Sequence, residues 1–140
     1  MGNLLGQLAD SGAWVDFTQG IDIRLMTDEK AAAINKVKYS MLHFAWDNPA
    51  DMGTLEKLKE YRSVWKGSQR NRSVYVLTNF DSTHEEDLYR IYTLRDMGYD
   101  PYIMIFDKPN APRRTRMLQR WVNNKFIFRS TLRFEDYNRI

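Results

Sequence analysis

The 140-residue chain contains no cysteine. That excludes disulfides, thiolate metal sites and iron–sulfur clusters held by cysteines of this chain. No apolar run approaches the ~20 residues that cross a bilayer. The opening "MGNLLGQLADSG" has neither the basic patch nor the long apolar stretch of a secretory leader. The expectation is a cytoplasmic protein without membrane contact. Charge of one sign is scarce too. Twenty-one Lys and Arg against 18 Asp and Glu leave +3, too little by itself to indicate a nucleic-acid binder. Linkers and low-complexity stretches are missing, as are a phosphate-binding P-loop, a G-x-G-x-x-G turn and a G-x-S-x-G nucleophile elbow. The two histidines, His43 and His84, have no partner at metal-ligand spacing.

What is present is ordinary globular material. Hydrophobic residues make up 43% and aromatics 14%, enough for one domain with its own core. Strand-like and helix-like patterns alternate. Leu4, Leu5 and Leu8 have helical spacing, and Gly12 stands where such a helix stops. Residues 14 to 25 contain "DFTQGIDIRL", in which Asp16, Thr18, Asp22 and Arg24 alternate with Phe17, Ile21, Ile23 and Leu25. That pattern predicts a strand with one apolar and one polar face. Thr27 is an expected N-cap for the helix "EKAAAINKV". Further strands are expected at 39 to 47, 73 to 81 and 101 to 107. Asn48 with Pro49, and "STHEED" with its two overlapping capping boxes, read as helix starts. A helix ends at Gly98, and a last one runs over about 115 to 126.

The order is one helix, then four βα units. Strands separated by helices form a parallel sheet with right-handed crossovers. The fold class expected is therefore α/β: a partial (βα) barrel, its four-stranded parallel sheet carrying the helices on the convex face. An open sandwich fits the same order, but alternation on the first three strands favours a sheet covered on one side. The fourth strand, "PYIMIFD", reads as a continuous apolar run.

In βα folds ligands collect at the C-terminal ends of the strands. The residues expected there are Gln19, Asp22 and Arg24, then His43 and Asp47, Asn79 and Asp81, and Asp107 with Lys108. Asp16 and Thr18 would share the concave face. Asn48 and Asp81 also read as helix-capping or loop residues, and His43 as a satisfied interior histidine. Arg113, Arg114 and Arg116 stand near a helix start and are candidates for phosphate or nucleic acid. The favoured reading of them is a solvated basic loop.

Three segments together resemble the C-terminal half of the radical S-adenosylmethionine superfamily. "QGIDIRLMTDEKAAAI" is similar to that family's fourth strand, with an Asp and an Arg before an acidic helix start. "MLHFAWDNPA" is similar to the fifth, with Phe44, Ala45, Trp46, Asp47 and Asn48 in place of a Phe-Gly-x-Glu-Ser sequence. "VYVLTNFDSTHEEDLYRI" is similar to the sixth, with Asn79, Phe80, Asp81, Ser82 and Thr83 in place of a Gly-x-Pro-Gly-Glu-Thr turn. The resemblance covers roughly residues 15 to 108 of a single domain, and 109 to 140 add a C-terminal helix and tail. It implies a barrel segment that holds S-adenosylmethionine through Asp22, Arg24 and Asp47, with Thr78 and Asn79 next. The family's C-x-x-x-C-x-x-C motif and its first strands are missing, so radical chemistry by this chain alone is not expected. The chain would be the C-terminal portion of a longer enzyme, or a degenerate half that lost the activity.

Its partners would be the absent half of the barrel, or a second copy that covers the exposed sheet edges. A different reading is an interaction module using those edges or the arginine segment. A third, an acid–base enzyme using Asp47 with Asp81 or Asp107, has no sequence sign of shifted pKa values.

Overall fold

The computed structural model describes residues 14–16, 21–36 and 38–138. Four parallel strands pair in the order β1-β2-β3-β4: β1 (Trp14–Asp16), β2 (Lys38–Ala45), β3 (Arg72–Thr78) and β4 (Asp100–Ile105). β2, β3 and β4 form the continuous sheet, and the short β1 lies beside β2 with an irregular register at Val15 and Asp16. The described helices are α1 (Asp28–Asn35), α2 (Met52–Tyr61), α3 (His84–Met97), α4 (Arg113–Asn123), α5 (Lys125–Ser130) and α6 (Phe134–Asn138). The fold is thus α/β on a parallel sheet. The helix expected around Leu4 to Leu8 lies outside the described residues.

A strand order that follows the chain, with right-handed crossovers, places every connecting helix on one side of the sheet. Burial agrees. Leu42, Phe44, Trp46, Val74, Val76 and Ile103 are buried beneath the helices. Their neighbours His43, Tyr75 and Leu77 are half-buried, and Ala45, Tyr102 and Met104 are exposed. Alternation held for β2 and β3. It also holds for β4, where the expected continuous run is instead Ile103 facing in and Tyr102 and Met104 facing out. Apolar outward residues hid the period.

The expected first strand is shorter than residues 14 to 25. Ile21 bridges to Phe44, and Ile23–Leu25 turns into a 3-10 helix. Asp22 causes the turn: its carboxylate caps the backbone N–H of Arg24 at 3.1 Å, which an extended chain does not allow. Ile23 is buried, while Leu25 points to solvent at 63% exposure, so strand alternation fails there.

Local capping follows the residue chemistry elsewhere. Thr27 accepts from the Lys30 N–H. Thr83 and Glu86 form the capping box of α3, while Ser82 donates instead to Asp87. Gly98 closes α3 at φ +93°, and a Cβ there would meet Arg62 Nε at 2.5 Å. α2 starts three residues later than Asn48 and Pro49 suggest. Asp51 is its N-cap, and Asn48 makes a preceding turn by accepting from the Ala50 N–H at 3.0 Å.

The outer edge of β4 is closed by side chains. Asn123 presents its carboxamide to Ile103 as a further strand would, with Oδ1 accepting from Ile103 N–H at 2.8 Å and Nδ2 donating to Ile103 C=O at 3.1 Å. Gln119 donates to the same carbonyl, and Lys125 to the Pro101 carbonyl. Proline has no N–H to offer on that edge. A chain adding alongside β4 would have to displace these groups.

Candidate functional site

A pocket of about 320 Å³ opens where β2 ends and the Asp22 turn meets α2. Asp22, Arg24, Asp47, Asn48, Asp51 and Thr54 line it with Ile21 and Ala45. Each polar side chain is set by a local rule. Asp22 caps the 3-10 turn and holds the Arg24 guanidinium through Nε at 3.0 Å and Nη2 at 2.9 Å. Asp51 caps α2 through the Thr54 N–H and accepts the Thr54 hydroxyl at 2.7 Å. Asp47 leaves β2 with Oδ1 accepting from the Leu77 N–H at 3.2 Å, which ties it to β3.

Three carboxylates and one guanidinium therefore line the pocket, and two of the carboxylates, Asp22 and Asp51, act on Arg24. The hydrogen bond from Arg24 draws the Asp22 carboxyl below its ordinary range. Thr54 does the same for Asp51, with the Arg24 charge helping and the Asp22 charge opposing. The Arg24 guanidinium is raised in turn, first by Asp22. Both members of the Asp22–Arg24 pair remain open to solvent, at 41% and 62% side-chain exposure, so their fork orders the pocket rather than stabilising the fold. The oxygens that remain suit a cationic or hydroxyl-rich ligand.

Beneath the pocket lies a buried ion pair. Arg90 is fully buried and its guanidinium donates to the carbonyls of Trp46 at 2.8 Å and Leu77 at 2.9 Å, and to Asp87 at 2.6 Å. It joins the C-terminal ends of β2 and β3 to α3. Burial pulls the Arg90 guanidinium below its ordinary value, and Asp87 opposes this.

Of the residues expected from the sequence, the structure brings Asp22, Arg24 and Asp47 into this one pocket. Thr18 and Gln19 lie outside the described residues, and Asp16 is placed only by its β1 backbone, opposite Met41. Thr78 shares the parity of Val74 and Val76. It is buried beneath the helices and donates to the Met104 carbonyl at 3.0 Å, so it is not open to a ligand. Asn79, Asp81 and Asp107 have φ of 61°, 51° and 50°. They make left-handed turns that these short polar side chains tolerate. Asn79 donates to the Phe106 carbonyl and Asp107 accepts from Asn110, and none of them, nor Lys108, lines the pocket. His43 stacks on Tyr75, centroids 5.2 Å apart, in the middle of the sheet face opposite the described helices. That face is more aromatic than the polar concavity expected. Among the described residues no group of three His, Asp or Glu has the geometry to hold a metal ion.

Sequence reading missed Asp51, Thr54 and Arg90. The late start of α2 hid the first two. Arg90 sits in a helix that also carries the exposed Glu85, Glu86 and Asp96, and only its three-residue offset from the buried Asp87 marks it.

These features define an α/β protein with a parallel sheet and an acidic pocket at the C-terminal ends of its strands. Comparison with protein-family models, curated proteins and solved structures finds no match. Among the described residues no helix is long and apolar enough to cross a membrane.

Proposed function

We propose that the chain is a four-stranded partial (βα) barrel, similar to the C-terminal half of a radical S-adenosylmethionine domain, and that it binds S-adenosylmethionine without catalysing its cleavage. One observation carries the reading. Asp22, Arg24 and Asp47 come from segments 23 residues apart, are the residues that the resemblance assigns to the ligand, and line one pocket. The ligand chemistry suits that pocket. A sulfonium cation complements an excess of carboxylates, a ribose diol donates to Asp oxygens, and a ligand carboxylate can take a guanidinium edge of Arg24. Thr78 drops out of the contact set, and Asp51 and Asn48 join it.

The residues do not fit an iron–sulfur cluster, because the chain supplies no thiolate. In a complete barrel the absent strands, or those of a second copy, would join beside β1, since the β4 edge is capped at Ile103.

Nitrogen-labelled protein titrated with S-adenosylmethionine tests the assignment by NMR. The expected result is amide shifts confined to residues 21–25 and 45–54. Shifts centred elsewhere, or none at millimolar ligand, would reject the pocket.

A further inference from the structure

A second concave surface lies between α4 and the outer strand. Two adjoining hollows of about 310 and 460 Å³ share Arg116 and Arg120. Arg113 extends the first, and Lys108 and Tyr102 extend the second. Helical geometry makes the stripe: positions 113, 116 and 120 recur at spacings of three and four, opposite the buried Thr115, Leu118, Trp121 and Val122. The same geometry removes Arg114, which stands off this face and acts on His84. Among the described residues no carboxylate lines either hollow, and none pairs with Lys108, Arg113, Arg116 or Arg120.

Tyr102 connects this basic groove to the sheet face opposite the described helices. Its ring is 41% exposed and stands edge-on to Tyr75 at 5.8 Å. Tyr75 in turn stacks on His43 at an interplanar angle of 4°. A row of three rings thus crosses β4, β3 and β2 and ends in four uncompensated cations. Cations that track phosphates beside aromatic rings that accept bases are the two components of single-strand recognition. An acidic peptide would use the cations and leave the rings idle, and a duplex keeps its bases stacked away from them.

We propose that this surface binds single-stranded nucleic acid, its backbone in the groove along α4 and its bases over Tyr102 and Tyr75. The proposal is independent of the acidic pocket. Fluorescence anisotropy of a labelled oligouridylate of about 12 nucleotides tests it, with salt raised from about 50 to 200 mM. Binding should weaken with a log–log slope near −0.7 per phosphate contact, so about −3 for four cations. Arg116→Gln with Arg120→Gln should weaken binding at least tenfold and flatten the slope by about 1.4. Tyr102→Ala should cost about tenfold with the slope unchanged. Arg114→Gln should stay within about twofold of the parent, because its side chain stands off the stripe. These substitutions fall on exposed positions, and circular dichroism verifies each fold. The proposal is overturned by absent binding at about 50 mM salt, by undiminished binding in the double arginine variant, or by an Arg114→Gln loss equal to it. It is also overturned if Tyr102→Ala is neutral while polyglutamate or duplex RNA competes as well as the single strand. That pattern would identify a general polyanion surface.

Discussion

Replacing Arg90 by Met should be among the most damaging single changes in this protein. The side chain is fully buried and its guanidinium serves three acceptors, two carbonyls at 2.8 and 2.9 Å and the Asp87 carboxylate at 2.6 Å. Met fills similar volume, so little cavity cost arises. What remains is a buried carboxylate that still accepts from the Ser82 hydroxyl at 2.7 Å, and two carbonyls without this donor. Removing one partner of a buried pair costs about 3–5 kcal/mol, and each abandoned carbonyl about 1–3, with strong overlap between them. About 4 kcal/mol is a fair expectation, against a total stability of about 5–15. Urea unfolding followed by tryptophan fluorescence reads this directly. With a slope near 2 kcal/mol/M, the midpoint should fall by about 2 M. The double variant Asp87→Leu, Arg90→Met should recover more than half of the loss, because the orphaned charge is gone. A single-variant shift below about 0.5 M, or a double variant no better than the single, would refute the reasoning.

Further outcomes follow from the same contacts. Asn123→Ala strips the cap from Ile103 on the β4 edge. It should cost about 1–2 kcal/mol and introduce concentration-dependent association in sedimentation velocity; an unchanged profile would show that the cap does not protect the edge. His84 packs on Phe134, and burial first, then the Arg114 charge, hold its imidazole below the ordinary pKa of 6.5. The unfolded chain therefore takes up a proton more readily. This contribution to stability is complete above the unfolded pKa and is lost as pH falls through it toward the lower folded value. His84→Gln should flatten the stability profile below neutrality, and a profile of unchanged shape would contradict the assignment.

Much of the fold was legible because strand parity and helix caps are written in short range. Val74, Val76 and Tyr75 announce their faces by alternation, and Thr83, Glu86 and Gly98 announce the ends of α3. The first strand was over-extended because Asp22 to Leu25 also alternates. A carboxylate that can cap the second N–H onward converts such a segment into a turn, and the pattern alone does not weigh that competition. The site was half legible. Residues at the end of β2 and in the preceding loop reached the pocket. Asn79, Asp81 and Asp107 did not, because polar residues at strand ends serve backbone geometry as readily as ligands. Thr78 should have been excluded by the parity that placed Val76. The basic stripe was legible only in part: proximity in sequence groups Arg113, Arg114 and Arg116, whereas the helical period selects Arg113, Arg116 and Arg120.

The central claim is that the pocket of Asp22, Arg24, Asp47 and Asp51 holds S-adenosylmethionine through its charge. Isothermal calorimetry with S-adenosylmethionine, and in parallel with its neutral-sulfur homocysteine product, tests this most directly. The account predicts binding of both, with the sulfonium form favoured by up to about 1 kcal/mol, a factor near five, at such an open site. Asp47→Asn keeps the acceptor for Leu77 and removes one charge, so it should narrow that preference. No heat from folded protein at millimolar ligand, or equal affinity for the two forms, would contradict it.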